Sequence, residues 1–146
     1  MNISMAQTRA IIAFLESQNF EGYVFDPNDH DESVHGIQVL APHFSVFSFK
    51  PAVSPKVING GTCFRHGVGS NMFNAIVTGP IRNGEDRRHV VNGLRACVDG
   101  ALVFVCNDGS HSTVPQERYL VGLGVEMMSV VSVEWDTIVI GKWVKP

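Results

Sequence analysis

The stretch that decides the fold is His89-Val90-Val91-Asn92-Gly93-Leu94-Arg95-Ala96-Cys97-Val98-Asp99-Gly100-Ala101-Leu102-Val103-Phe104-Val105-Cys106-Asn107. Asp99-Gly100 lies between two apolar runs, and both residues tolerate the positive φ that a tight hairpin turn requires. Residues 89–98 and 101–107 then become antiparallel neighbours. A short helix over 85–98 is the rival reading, and Gly93 weighs against it, since glycine costs about 1 kcal/mol relative to alanine inside a helix.

Downstream, Tyr119 to Val125, Met127 to Trp135 and Thr137 to Val144 extend the strand-rich half. Trp135 is expected in the core, Trp143 partly exposed near the end, and Met127-Met128 as gap-filling core. Upstream, Asn83 to Asp86 form a turn. Before it, Phe64, Val68, Met72 and Ile76 recur on one helical face, with Thr62 as N-cap and Thr78-Gly79-Pro80 as the stop. Residues 50–61 read as a loop, Ile37 to Leu40 and His43 to Phe49 as one or two strands bent at Pro42, and 22–27 as a strand ended by proline. Residues 5–19 carry a loose helical period. The fold class that follows is α+β: an antiparallel sheet with two helices, one N-terminal and one central, starting near Cys63, in a single domain spanning 1–146.

Composition narrows the function classes. The chain has 146 residues, 45% hydrophobic and 17% charged, which allows a packed core without staples. Eleven Lys+Arg against fourteen Asp+Glu give a net charge of −3. Bulk nucleic-acid binding and attraction to an anionic membrane are not expected from that balance. No apolar run approaches the roughly 18 to 20 residues of a membrane span. Met1-Asn2-Ile3-Ser4 lacks the basic and apolar regions of a secretory signal. The expected location is cytoplasmic, or a host cytosol reached by a dedicated export system.

Cys63, Cys97 and Cys106 form an odd set without CxxC spacing, which argues against a disulfide framework and a four-thiolate zinc site. Cys97 and Cys106 read as strand residues in the core. Asn59-Gly60-Gly61-Thr62-Cys63-Phe64 instead delivers a cysteine to the first turn of the expected central helix, where the dipole and open N–H groups favour a thiolate. The alternative reading of Cys63 is a small buried hydrophobe, with His89 a surface residue after Arg87-Arg88.

Gly60-Gly61-Thr62-Cys63-Phe64 resembles the nucleophile segment of arylamine N-acetyltransferases, and with Asn59 it resembles the cysteine box of ubiquitin-specific proteases. His89, Asp99-Gly100 and Phe104-Val105-Cys106-Asn107-Asp108 resemble the histidine box of such papain-like and transglutaminase-like enzymes. The resemblance implies Cys63 as nucleophile, His89 as general base, and Asp108 or Asn107 as the group orienting the imidazole. The interval from Cys63 to His89 is shorter than in those families, and Arg65-His66-Gly67 departs from the residues they place after the cysteine.

A second constellation competes. His43-Phe44-Ser45-Val46 and His111-Ser112-Thr113-Val114 resemble the paired signature of two-histidine phosphoesterases. On a strand, His43 shares a face with Ser45, and His111 with Thr113. That resemblance implies one histidine as base and the other as acid on a cyclic or 2′,5′-linked nucleotide.

His30-Asp31-Glu32 with His35 specifies no metal geometry, and a solvated acidic loop is the expectation there. Gly122-Leu123-Gly124 lacks the context of a phosphate-binding loop. The leading expectation is a cysteine-dependent hydrolase or acyl-transfer enzyme acting on an amide or acyl carbonyl of a protein or small-molecule substrate, with no metal or organic cofactor. A two-histidine phosphodiesterase and a non-catalytic binding or assembly module are the alternatives.

Overall fold

Residues 73–78, Phe-Asn-Ala-Ile-Val-Thr, have almost no solvent face: all but Asn74 are buried. An antiparallel hairpin with one wet side does not look like this. Strands buried on both faces belong to parallel sheets, whose crossovers lay helices over each side.

The computed structural model describes residues 3–26, 35–48, 57–59 and 71–146. The elements in chain order are α1 (Met5–Ser17), β1 (Tyr23–Asp26), α2 (His35–Leu40), β2 (Ser45–Ser48), β3 (Val57–Asn59), β4 (Phe73–Thr78), α3 (Gly84–Arg95), β5 (Cys97–Asn107), α4 (Val114–Leu123), β6 (Val125–Val133) and β7 (Asp136–Trp143). They build one seven-stranded sheet in the order β3-β2-β1-β4-β5-β7-β6. β1 to β5 pair parallel with one another, whereas β7 is antiparallel to both β5 and β6.

Two apolar layers cover the sheet. On one side Ile11 and Leu15 of α1 and Ile37 of α2 pack against Val24, Val46, Ala75, Val77, Phe104 and Ile140. On the other, Val90 and Leu94 of α3 and Leu120 of α4 pack against Phe25, Ile76, Val103, Val105 and Val139. The alternation along β4 and β5 sends successive side chains to opposite layers, as the period of two requires.

Local chemistry fixes the helix ends. Ser4 and Gln7 form a reciprocal capping box on α1, with Gln7 N donating to Ser4 Oγ at 3.1 Å and Ser4 N donating to Gln7 Oε1 at 3.0 Å. Asn83 Oδ1 accepts from Asp86 N at 2.9 Å at the start of α3, whose first turn carries Glu85 and Asp86 and whose last carries Arg95, complementing the dipole. Gly124 closes α4 in the left-handed conformation.

These elements correct several expectations. The α+β class with an antiparallel sheet and two helices gives way to a mainly parallel α/β sheet with helices on both faces. The expected central helix ends in strand β4 over Phe73–Thr78, and its start near Cys63 lies outside the described residues. The fourfold recurrence misled because a doubly buried strand is apolar at nearly every position and matches any period. Residues 89–95 belong to α3, as the rival helical reading had it, and β5 runs straight through Asp99-Gly100. Gly100 (φ +82) sits in an irregularity where Phe73 pairs with Cys97 and Ala75 with Leu102, so the dipeptide is a bulge rather than a turn. Residues 37–40 are helical in α2, and 119–123 in α4. The tryptophans are exchanged: Trp143 is buried, and Trp135, on the β6–β7 hairpin, is 89% exposed. Met127 packs against the core layer while Met128 is exposed. Cys97 and Cys106 are buried on β5 as expected, and burial pushes the Cys97 thiol up to about 12.

Gln7 also ties α1 to the sheet, since its buried Nε2 donates to the carbonyls of Asn107 at 2.9 Å and Thr137 at 3.1 Å. Replacing it by alanine removes both donors and half of the capping box, and is expected to lower unfolding free energy by about 2 kcal/mol. Urea denaturation checks this. A variant within about 0.5 kcal/mol of the parent, the usual effect of an innocuous surface change, would contradict the tether.

Candidate functional site

The strand order reverses at one place. From β1 the chain moves outward to β2 and β3, then returns to lay β4 on the other side of β1 and continues to β5. α2 follows β1 on one face of the sheet and α3 follows β4 on the other. Diverging crossovers leave a crevice beyond the carboxyl ends of β1 and β4, where open α/β sheets take their ligands.

The strands end there in polar residues. β1 finishes at Asp26, fully buried, and β4 at Thr78, 2% exposed, followed by buried Gly79, Pro80 and Ile81. A fully buried carboxylate is unusual enough to ask for a role.

One side chain frames the adjoining loops. Gln116, near the start of α4, is buried and makes three hydrogen bonds. Its Oε1 accepts from Ile81 N at 2.9 Å in the loop after β4, and its Nε2 donates to Asn107 Oδ1 at 2.7 Å and to Ser112 O at 2.9 Å in the segment after β5. The exits of β4 and β5 are thereby locked together. On the rim, Arg82 Nε donates to Asp86 Oδ2 at 3.0 Å.

Beside that frame, Asp108 Oδ1 accepts from Ser110 N at 2.9 Å and from Ser110 Oγ, and lies 2.8 Å from His111 Nδ1. The Ser110 hydroxyl and backbone bonds, with the His111 bond, hold the Asp108 carboxyl down at about 2. Gly109 sits so close to the Trp135 carbonyl that an added Cβ would lie 2.7 Å from it, so the exposed hairpin presses on this loop only because residue 109 is glycine.

The residues singled out in the sequence are dispersed. Cys63, with Gly60, Gly61, Thr62 and Phe64, lies outside the described residues, as do His30, Asp31 and Glu32. His89 is buried in α3 with Nε2 3.8 Å from Glu85 Oε1. Asp108 is paired with His111, and Asn107 belongs to the Gln116 frame. His43 is in the turn before β2, 3.9 Å from Glu16 Oε1, so it sits at the amino end of its strand. His111 lies beyond the carboxyl end of β5. Because β2 and β5 run parallel within one sheet, His43 with Ser45 and His111 with Thr113 occupy opposite ends of it and cannot grip one phosphodiester. Among the described residues no group of three or more His, Cys, Asp or Glu converges as a metal site, and no helix is long and apolar enough to cross a membrane.

Asp26, Thr78, Gln7 and Gln116 were missed. For Asp26 and Thr78 the signal was present: Val24-Phe25-Asp26-Pro27 and Ile76-Val77-Thr78-Gly79-Pro80 are both apolar runs ending in a polar residue and a Gly or Pro stop. That pattern marks strand ends at a crevice only once the strands are known to be parallel. A depression of about 350 Å³ opens at the amino ends of the same strands, lined by Phe20, Asn74, Asp99, Gly100, Met128 and Lys142 among others.

No protein-family profile and no curated sequence matches the chain. Solved structures do. A putative methyltransferase from Pseudomonas syringae matches with TM-score 0.63 at 12% identity, over 92% of this chain and 96% of that one. A putative methyltransferase from Escherichia coli matches with TM-score 0.62 at 11% identity, over 99% and 90%. The fibrillarin pre-rRNA processing protein of Methanococcus jannaschii matches with TM-score 0.63 at 10% identity, over 86% and 68%. The chain spans only 36% of another match, a Thermus thermophilus 16S rRNA N2 G1207 methyltransferase whose structure holds AdoMet and guanosine. At these identities the likeness shows the fold. It overturns the expected kinship with papain-like and transglutaminase-like cysteine enzymes and with two-histidine phosphoesterases, and with it the thiol hydrolase or acyl-transfer and phosphodiesterase readings.

The Asp108 carboxyl should titrate near 2. Its interactions are then fully present above the ordinary carboxylate range and are lost as pH falls toward 2, since the folded value lies below the unfolded one. A ¹³C-detected titration of the side chain reads this, and a midpoint near an ordinary aspartate value would refute the Ser110 and His111 contacts.

Proposed function

We propose that this chain transfers a methyl group from S-adenosylmethionine, held in the crevice beyond β1 and β4, to an acceptor presented at the exits of β4 and β5. The observation that carries the reading is the strand order β3-β2-β1-β4-β5-β7-β6 with β7 reversed, superposable over nearly the whole chain on structures described as methyltransferases. Residues 1–146 act as one unit in this reading.

The donor set suits such a ligand. S-adenosylmethionine supplies an electrophilic methyl on a positively charged sulfur and carries an ammonium group. The buried Asp26 carboxylate at the point of strand reversal would hold that positive charge, in a setting where a charge pair is little screened. The Thr78 hydroxyl and the Gly79-Pro80-Ile81 backbone would line the opposite wall, kept in place by Gln116. Held in this way, the β4 exit would orient the acceptor's nucleophilic atom toward the methyl group.

One departure shapes the expectation for affinity. In dinucleotide-binding sheets the turn after the first strand is rich in glycine, which lets the backbone approach the ligand. Here positions 27–34, Pro-Asn-Asp-His-Asp-Glu-Ser-Val, contain no glycine. Binding therefore rests more on Asp26 and the β4 exit than on main-chain contacts, and is weaker than a glycine-rich turn would give.

Isothermal titration calorimetry with S-adenosylmethionine and S-adenosylhomocysteine is expected to show saturable one-site binding, and ligand at a hundredfold over Kd is expected to add about 2.7 kcal/mol of stability. Asp26→Asn should weaken binding of S-adenosylmethionine at least about tenfold, the equivalent of 1.4 kcal/mol, while circular dichroism shows the fold retained. No heat and no thermal shift with either ligand at millimolar concentration, or equal response to NAD or ATP, would overturn the reading.

A further inference from the structure

We propose that His111 is the general base of the transfer, and that Asp108 positions it by fixing which ring nitrogen is bare. The inference rests on the methyl-transfer reading for the identity of the reaction, but its geometric part stands alone.

His111 Nδ1 lies 2.8 Å from Asp108 Oδ1. Across the neutral range that carboxyl is ionised and has no proton to donate, so the hydrogen in this bond must sit on Nδ1. In the neutral ring Nε2 then carries the lone pair. No described residue makes a hydrogen bond to Nε2, and the side chain is 30% exposed, so the basic nitrogen faces outward while its partner is pinned. Asp108 is itself restrained by the two bonds from Ser110. This is the arrangement by which a carboxylate selects an imidazole tautomer for proton abstraction.

Location gives the pair its function. His111 follows the exit of β5, next to β4, and Gln116 bonds both to Ser112 O, one residue beyond His111, and to Ile81 N in the loop after β4. The base is thus fixed to the wall of the crevice rather than to a free-standing loop. Its chemistry selects the acceptor: a hydroxyl or protonated nitrogen that must lose a proton to become nucleophilic. The acceptor's lone pair forms the new bond to the methyl carbon, the electron pair of the broken C–S bond remains on the donor sulfur, and the acceptor's proton passes to Nε2, leaving an imidazolium beside the Asp108 carboxylate.

Long-range ¹H–¹⁵N correlation of histidine-labelled protein decides the geometric part. Neutral His111 should show the Nδ1–H tautomer, and Asp108→Ala, which removes the accepting oxygen, should return it toward the Nε2–H form common in water. An Nε2–H tautomer in the parent protein, or no change in the variant, overturns the proposal whether or not activity is found. In a transfer assay with methyl-labelled S-adenosylmethionine and a panel of phenols, nucleosides and short RNAs, His111→Gln should lower kcat by about 10²-fold or more with KM little changed. Asp108→Ala should lower it less, and the double variant should be no worse than His111→Gln alone. Full kcat in His111→Gln overturns the assignment. S-adenosylhomocysteine binding should be the same in all three variants, so loss of donor binding in the parent marks failure of the methyl-transfer reading instead.

Discussion

β4 and the second half of β5 have no side that can meet water. Phe73, Ala75, Ile76 and Val77 of β4 and Leu102 to Cys106 of β5 are buried on both faces, so each face must be covered by separate chain. That single demand sets the rest of the molecule. α1 and α2 cover one side, α3 and α4 the other, and the chain can alternate between them only through crossovers joining parallel strands. The crossovers on either side of the β1–β4 boundary part company, and the crevice is the consequence.

The sequence carried the apolar runs but not their pairing partners. α1, β1, β2, β6 and β7 were legible from period and punctuation: a helical stripe, a proline stop, two alternating runs near the C-terminus. β4 was not, because a strand apolar at consecutive positions lacks the alternation that identifies a half-wet strand. Asp99-Gly100 was the costliest misreading. Its residues are those of a hairpin turn, and they sit instead in an irregular part of β5 where Asp99 Oδ1 accepts from Lys145 N and Gly100 takes a positive φ. The dipeptide's chemistry suits an irregular backbone of either kind, and the long-range register that makes it a bulge and not a hairpin turn is not written in the local sequence. Trp135 shows the complementary error, since hydrophobicity suggested burial, yet the residue occupies the tip of a two-residue hairpin.

The candidate site was legible only in fragments. Asp108 and His111 both stood out in the sequence, each assigned to a different chemistry and a different partner. The structure joins them to each other, through a contact three residues apart that a turn creates and no strand pattern would suggest. Asp26 carried a signal that only the parallel strand order makes readable, and Gln116 was silent, because a buried polar side chain has no signature until its neighbours are known. Their placement gives the crevice a polar floor and a fixed rim, features that a parallel sheet with apolar walls would otherwise lack.

Amide hydrogen exchange with and without S-adenosylhomocysteine locates the donor site. Protection is expected to increase at the carboxyl ends of the strands, at residues 24–26, 77–82 and 105–112. Protection centred instead on the amino-end depression around Phe20, Asn74 and Lys142, or no change anywhere, would contradict that placement.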